Sequence, residues 1–304
     1  MSLTVSNTDF ESLDIERVRY IVCDLDNFLF PYPDGYAESF SRHTARSAIE
    51  MANLRISSGS TCKLTHSLCQ AEIDDVTERA KKSYFDHGFT TRHFADTYGF
   101  CESELYDAHH RLVLRDTVHP AFSQGQFINP RLRQGLLGLS DLMPTYLFTN
   151  GTEFYAREMT DKYLGLKDCF RMHVGIDSMR DKTLITKADR RAFNNFFALT
   201  RQVSATGHIC APEGCQGSPR GHEFYNGILC EDTPYNLHIA KNFFSLQTVL
   251  LKTDRVSLTK EMENYVDLVI TDVGEFTNAL ASQVRACQRG RSGKVPAPRL
   301  SFVN

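Results

Sequence analysis

The chain has 304 residues, of which 41% are hydrophobic and 23% charged, a balance typical of globular proteins that excludes fibrous or largely disordered architectures. The formal net charge of -3 gives no long-range attraction to nucleic acid or to anionic membranes, so local groups would have to hold an anionic ligand. No apolar run approaches the roughly 20 residues that cross a bilayer, and residues 1–10 are too polar for a secretory signal.

The nine cysteines are scattered along the chain. Cys23 and Cys230 lie inside strongly apolar runs, as buried, reduced thiols commonly do. This usage favours a reducing compartment, and we expect a cytoplasmic location.

Six short apolar runs predict the strands of a sheet. They lie at residues 20–25, 145–149, 172–176, 227–230, 248–251 and 268–270. Helix-like stretches at residues 153–163, 187–199 and 235–244 alternate with them, which predicts an α/β fold with a doubly wound parallel sheet. The carboxyl ends of parallel strands would then meet at one edge of that sheet.

Residues 35–130 lack this alternation and show amphipathic helical spacing, which predicts a helical cap inserted after the first strand. The core would then be discontinuous, formed by residues 18–34 and 131–281. An aromatic cluster in the cap would either line a ligand or pack within the cap. The cluster comprises Tyr84, Phe85 and His87.

Two further segments differ from the rest in composition. Residues 202–221 are rich in Gly, Pro and small polar residues and predict a long surface loop inserted in the core. Residues 285–304 combine basic residues with Gly, Ser and Pro and predict a solvated, disordered basic tail. In and beside the loop, four side chains have zinc-ligand chemistry but spacings that match no common finger or ribbon, which favours free thiols over a metal site. They are His208, Cys210, Cys215 and His222.

Two carboxylates end the first predicted strand, at Asp24 and Asp26. Carboxylates this close separate their proton affinities, which suits one to act as an ionised nucleophile and the other as a proton shuttle. A plain turn is the alternative, because Asp is common after strands.

Polar side chains also follow other predicted strands. Thr149 and Asn150 precede a helix, where they would either cradle a phosphate or cap the helix. Glu231 and Asp232 would hold a hard dication with Asp24 or complement a helix dipole. A cation is unfavourable at a helix start, so Lys187, at the start of a predicted helix, indicates another role or a plain surface position.

The order of these groups resembles the four motifs of the haloacid dehalogenase superfamily over residues 18–281. DLDNFLFP is similar to the first motif, LFTNG to the second, Lys187 to the third and CEDTPYNLHIAK to the fourth. The sequences of four segments are similar to those of pyrimidine 5′-nucleotidases and their plant and fungal relatives. These segments are DLDN, SYFDHG, LFTNG and DKTLITKADRRAF. Three features depart from this pattern without removing a catalytic group. They are Phe28, where relatives usually have a small residue, Ala188, where Pro is common, and the loop at 202–221.

This resemblance implies a Rossmann-like core and a magnesium-dependent phosphatase that forms a phospho-aspartate. Asp24 would be the nucleophile and Asp26 the general acid and base. Thr149, Asn150 and Lys187 would bind the phosphoryl oxygens.

The resemblance also implies a metal site and a substrate class. Mg²⁺ would be held by the Asp24 carboxylate, the Asp26 backbone carbonyl and Asp232, with Glu231 in support. The expected partner is a small phosphorylated metabolite, a nucleoside monophosphate, met by Tyr84 and its aromatic neighbours in the cap, with no nucleic-acid polymer and no membrane. A sugar- or cofactor-phosphate phosphatase, a phosphomutase of the same superfamily and a non-catalytic binding module are the alternatives.

Overall fold

The computed structural model describes residues 3, 5–33, 35–57, 70–87, 91–123, 125, 127–178, 184–205 and 226–292, apart from the side chains of some helical residues within these ranges. The strands are β1 Tyr20–Cys23, β2 Thr145–Phe148, β3 Met172–Val174, β4 Gly227–Glu231, β5 Gln247–Leu251 and β6 Leu268–Ile270. They form one parallel sheet in the order β3-β2-β1-β4-β5-β6.

The helices lie between these strands and in one long stretch after β1. They are α1 Tyr36–Ser57, α2 Gln70–His87, α3 Arg92–Tyr98, α4 Glu102–Val113, α5 His119–Phe122, α6 Pro130–Ser140, α7 Glu153–Glu158, α8 Arg190–Ala205, α9 Pro234–Phe244 and α10 Val273–Ser292. Two π-helical turns, Leu114–Val118 and Met159–Tyr163, continue α4 and α7. Short 3-10 turns occupy Ile15–Arg17, Ile176–Ser178 and Lys260–Asn264.

Alternation along the strands builds a hydrophobic core on each face of the sheet. Cys23 and Cys230 pack on one face with residues of α6, α7 and α10. Val22 and Leu229, their neighbours in the chain, pack on the other face with residues of α8 and α9. Helices therefore cover both faces, and the strand order reverses direction at β1. The predicted doubly wound α/β fold is confirmed.

The described residues between β1 and α6 form helices and include no strand. A separate small core holds α1 to α4 together. It comprises Ala45, Ala48, Val76, Ala80, Phe94, Phe100 and Leu105. Tyr84, Phe85 and His87 belong to the last turn of α2, and their side chains lie outside the described residues.

Three predicted boundaries differ from the structure. Lys187 precedes α8, which begins at Arg190, so it is not a helical residue. Residues 202–205 of the predicted loop belong to α8, whereas 206–225, with the four zinc-ligand candidates, lie outside the described residues. The predicted tail begins inside α10, which continues to Ser292 because Val284 is buried and Cys287 packs against the core. Residues 293–304 lie outside the described residues.

A search of the helices within the described ranges found none with the length and apolar character needed to span a membrane.

Close packing between α6 and α10 depends on Gly135. A Cβ atom there would lie 2.2 Å from Thr277 Oγ1 and 2.8 Å from the backbone nitrogen of Asn278. At Gly138, three residues along α6, the nearest atom would be the Ala281 Cβ at 3.4 Å. The two glycines therefore differ in space, although both lie in the same helix.

We expect Gly135→Ala to lower the free energy of unfolding by about 1–3 kcal/mol, because the helices would have to separate. Gly138→Ala should leave it unchanged or raise it, since alanine is favoured over glycine in a helix by about 1 kcal/mol. Urea unfolding of the two variants measures the difference. Equal stability of both would contradict the close packing at Gly135.

Candidate active site

Three carboxylates meet at the carboxyl edge of the sheet. Asp24 follows β1, Glu231 ends β4 and Asp232 follows it, and one carboxylate oxygen of each lies within 4.8 Å of the others. Asp24 and Glu231 are buried, whereas Asp232 is half-buried. Because β1 and β4 are neighbours in register, residues that are more than 200 positions apart in sequence share one site.

The ammonium group of Lys187 lies buried among these carboxylates, with the residue 1% exposed. Its Nζ donates to Asp24 Oδ1, to Glu231 Oε2 at 2.6 Å and to the carbonyl oxygen of Phe148 at 3.1 Å. An ammonium has three donors, so all are used. To bind a phosphoryl oxygen, as the sequence predicts, Lys187 would have to exchange one of these partners.

Burial dominates the electrostatics of this cluster. It raises the pKa of Asp24 to about 6, against the lowering effect of Lys187. Burial and then the charge of Asp24 raise the pKa of Glu231 well above its ordinary value. Burial alone would lower the pKa of Lys187, but the charges of Asp24 and Glu231 together raise it by more than burial lowers it. The ammonium therefore stays protonated. With Asp232 included, one cation faces three carboxyl groups.

Asp26 lies beside this cluster with both carboxylate oxygens in hydrogen bonds. The hydroxyl of Tyr155 donates to Oδ1 at 2.7 Å, and that of Thr149 donates to Oδ2 at 3.4 Å. Burial, followed by the charge of Asp24, raises the pKa of Asp26 to about 7. A carboxyl group that titrates near neutrality can both give and take a proton at neutral pH.

The loop after β2 is held by the two polar residues that the sequence singled out. Thr149 Oγ1 accepts a hydrogen bond from the Gly151 nitrogen at 2.9 Å, and Asn150 Oδ1 accepts one from the Lys187 nitrogen at 2.9 Å. The capping residue of α7 is Thr152, whose hydroxyl accepts from the backbone of that helix. Helix capping therefore does not account for Thr149 or Asn150, which instead join the loop to Asp26 and Lys187.

Asn27 is a site residue to which the sequence analysis gave no role. Its φ of +58° places it in the left-handed region, which asparagine tolerates better than most residues. Its Nδ2 donates to Asp232 Oδ2 at 2.7 Å. The turn after β1 therefore orients a carboxylate that belongs to the turn after β4.

Tyr36 and Tyr155 are also unpredicted parts of the site. Their hydroxyl oxygens are 2.6 Å apart, and both side chains are fully buried. Burial, with the Asp26 charge as the next cause, raises the pKa of each well above its ordinary value, so both stay protonated. Hydrophobic spacing does not show which tyrosine hydroxyls of a predicted helix reach a carboxylate, and the sequence carries no clear signal for them.

The donor set of the cluster fits a hard divalent cation. Asp24, Glu231 and Asp232 offer carboxylate oxygens, the ligands that Mg²⁺ and Ca²⁺ prefer. One ammonium opposes three carboxyl groups, and a dication would offset the excess negative charge. Asp24 Oδ1 and Glu231 Oε2 both accept hydrogen bonds from the Lys187 ammonium, so each has its other oxygen left for a cation.

A cavity of about 550 Å³ lies beside the site, a size usual for small-molecule pockets. Its lining combines the turn after β1, from Asn27 to Tyr32, with the residues that follow β5, including Lys252 and Arg255. Phe28, the unusual residue of the first motif, is 3% exposed and packs into the core beneath this turn.

Comparisons with known proteins identify similar solved structures at low identity. A scan against protein-family models and a search of curated proteins found no match. The chain is similar to a HAD phosphatase from Thermococcus onnurineus, with 14% identity, a TM-score of 0.47 and coverage of 86% of this chain and 98% of that one. It is also similar to the haloacid dehalogenase-like hydrolase SP0104 from Streptococcus pneumoniae, with 16% identity, a TM-score of 0.41 and coverage of 84% and 95%. Similarities this low assign no function, so a function has to be inferred from the residues of the site.

The buried ion pairs predict a large effect of Lys187 on stability. We expect Lys187→Met to lower the free energy of unfolding by about 3–5 kcal/mol at neutral pH, because it leaves Asp24 and Glu231 buried without their cation. The folded variant would then hold carboxyl groups with pKa values above those of the unfolded chain. It should therefore gain stability relative to wild type as the pH falls from about 7 to about 5.

The double variant Lys187→Met/Glu231→Gln is the matched control. It removes one of the unpaired charges and should recover part of the lost stability in urea unfolding at neutral pH. A double variant less stable than Lys187→Met alone would contradict the ion pair as the source of the effect.

Proposed function

We propose that the chain is a magnesium-dependent phosphomonoesterase that acts through a phospho-aspartate on Asp24. The observation that carries this proposal is the position of Asp24, which bonds the buried ammonium of Lys187 and has a carboxylate oxygen within 4.8 Å of one of Asp232, with Asp26 two residues along the chain. A nucleophile, a metal-binding pair and a proton-transfer group are thereby combined at one edge of the sheet.

Asp24 is suited to act as the nucleophile. Lys187 holds its Oδ1, which favours the ionised form and leaves Oδ2 as the attacking atom. In the first step the Asp24 oxygen–phosphorus bond forms as the phosphorus–oxygen bond to the leaving group breaks. Asp26 gives its proton to the departing oxygen.

In the second step Asp26 acts as the base. It takes a proton from a water molecule, the water oxygen bonds to phosphorus, and the bond between phosphorus and Asp24 breaks. Asp24 returns as a carboxylate, Asp26 returns as an acid, and inorganic phosphate leaves. Each residue therefore ends the cycle in its starting protonation state.

Asp24, Asp232 and the backbone carbonyl of Asp26 would hold Mg²⁺. When bound, the ion would supply Lewis-acid stabilisation of phosphoryl charge and reduce the repulsion between the substrate and Asp24. Asn27 would keep Asp232 oriented through its 2.7 Å hydrogen bond. Thr149, with its hydroxyl in the site, and the backbone around Asn150 would bind phosphoryl oxygens.

For the substrate we propose a nucleoside monophosphate, because the sequences of the motifs resemble those of pyrimidine 5′-nucleotidases. The aromatic residues Tyr84, Phe85 and His87 of α2 would contact the base or the sugar. A sugar- or cofactor-phosphate phosphatase and a phosphomutase would use the same catalytic groups. Product analysis separates them, since a mutase retains the phosphoryl group on its product.

Magnesium should stabilise the folded protein, because binding to the native state alone raises the melting temperature. At a concentration about 100 times its dissociation constant the gain would be about 2.7 kcal/mol. Asp232→Asn should reduce this shift. Asp254→Asn, which removes an exposed carboxylate from the same edge of the sheet, should keep it. Equal shifts in both variants on thermal unfolding would place the metal elsewhere.

Phosphate release from a panel of nucleoside monophosphates, sugar phosphates and pyridoxal phosphate tests the activity itself. We expect the wild-type protein with magnesium to prefer nucleoside monophosphates. Asp24→Asn should abolish turnover, because an amide oxygen cannot form the acyl phosphate. Asp26→Asn should lower turnover by roughly 10²–10⁴-fold, the usual contribution of general acid–base catalysis. Unchanged turnover by Asp24→Asn would refute the nucleophile, and inactivity of the wild type on the whole panel would favour a binding module.

A further inference from the structure

A chain of hydroxyl groups connects the helical insertion to Asp26. Tyr36, the first residue of α1, lies with its hydroxyl oxygen 2.6 Å from that of Tyr155 in α7. Tyr155 in turn donates to Asp26 Oδ1 at 2.7 Å. Since Tyr155 uses its own proton in that bond, the proton between the two tyrosines comes from Tyr36. The order of donation is therefore Tyr36 to Tyr155 to Asp26.

This order distinguishes the two oxygens of Asp26. Oδ1 accepts the short bond from Tyr155, so a proton carried by the carboxyl group belongs on Oδ2. Among the described residues, Oδ2 has only the long 3.4 Å contact with the Thr149 hydroxyl, which a phosphoryl oxygen can replace as the partner of that hydroxyl. The oxygen free to meet a leaving group is thus the one that can carry the proton.

The surroundings of Tyr155 hold its ring in one place. Its side chain is fully buried, and its ring centroid is 4.7 Å from that of His110 in α4. A Cβ atom on Gly151 would lie 2.8 Å from its ring, so the loop after β2 passes close against the tyrosine. A phenol packed against both the His110 ring and the loop after β2 makes a precise hydrogen-bond donor.

We propose that Tyr155 is a positioning residue for Asp26, which fixes the carboxyl group so that Oδ2 faces the leaving oxygen, and that Tyr36 supports it from the insertion. This inference rests on the proposed phosphatase function. It adds to that function two residues, one from each side of the junction between the core and the inserted helices. In contrast, a purely structural role for the same hydrogen bonds would affect stability but not proton transfer.

Substrates that differ in their need for protonation separate these roles. An alkyl phosphomonoester such as uridine monophosphate, or the one that the wild type hydrolyses fastest, releases a strongly basic oxygen that needs a proton from Asp26. p-Nitrophenyl phosphate releases a stable anion that needs little help. The value of kcat/KM reports the steps up to formation of the phospho-enzyme. The ratio of the values for the two substrates therefore isolates the contribution of general acid catalysis.

Tyr155→Phe removes one hydroxyl and keeps the ring. We expect its kcat/KM for the alkyl substrate to fall by roughly tenfold or more, within the range available to general acid catalysis, with a fall of less than about threefold for p-nitrophenyl phosphate. Tyr36→Phe should shift the ratio in the same direction by a smaller factor. Because both substrates are measured on one preparation, partial loss of folded protein cancels in the ratio.

Tyr146→Phe is the matched control, since it removes a tyrosine hydroxyl from β2 on the opposite face of the sheet. Its ratio should equal that of the wild type. An unchanged ratio in Tyr155→Phe, or an equal loss on both substrates, would overturn the positioning role. An unchanged ratio in Tyr36→Phe would overturn the extension of the role to α1.

Two reference variants keep this inference distinguishable from the proposed function. Asp24→Asn must be inactive on both substrates, and Asp26→Asn must show a shift in the ratio larger than that of Tyr155→Phe. If the wild type hydrolyses neither substrate, the proposed function fails. If the wild type and the reference variants behave as expected and Tyr155→Phe does not, only the positioning role fails.

Discussion

The buried ammonium of Lys187 is the interaction on which the rest of the site depends. It bonds Asp24 after β1, the carbonyl of Phe148 at the end of β2 and Glu231 at the end of β4, and so joins three adjacent strand ends through one atom. Removing charges from water costs several kcal/mol per ion, and well-packed apolar residues of similar volume often stabilise a core as well or better. Stability alone therefore does not explain the arrangement. A cation held beside a carboxylate and close to the sheet edge makes sense if that carboxylate must stay ionised while an anion approaches.

The strand order makes this arrangement possible. β1 lies between β2 and β4, so the turns after these three strands are neighbours, and each contributes a different group. The turn after β1 supplies Asp26 and the left-handed Asn27, whose amide orients Asp232 after β4. The loop after β2 supplies Thr149 to Asp26. The turn after β1 and the loop after β2 thus each hold a carboxylate of a neighbouring turn.

The sequence predicted the sheet and indicated most of the residues that meet at its carboxyl edge, for reasons that are local. Buried parallel strands appear as apolar runs. Asp24 and Thr149 lie at the ends of two such runs, and Asp232 lies two residues after a third, so their position at the sheet edge can be predicted without a structure. The environment of Lys187 could not be predicted in this way, because its burial depends on Glu231, which is 44 positions away in the sequence. The hydroxyl of Tyr155 reaches Asp26 across 129 positions, and neither residue type nor spacing indicates that contact. The end of α10 was also missed, because basic composition suggested a tail where Cys287 in fact packs against the core.

Among the residues that the structure describes, hydrogen bonds from the inserted helices reach three segments around the site. Tyr36 bonds Tyr155 next to Asp26, and the Tyr106 hydroxyl donates to the carbonyl oxygen of Asn150 at 2.8 Å. The ion pair of Arg92 and Glu102 holds both backbone groups of Leu184, since Arg92 donates to its carbonyl oxygen at 2.6 Å and Glu102 accepts from its nitrogen at 3.1 Å. Leu184 lies three residues before Lys187. Any displacement of the insertion would therefore act at once on the contact with Asp26, on the loop after β2 and on the segment that carries the buried ammonium. In the proposed enzyme, substrate binding by the insertion and chemistry in the core would be mechanically linked, because the helices that would meet a leaving group also hold the segments that carry the proposed catalytic groups.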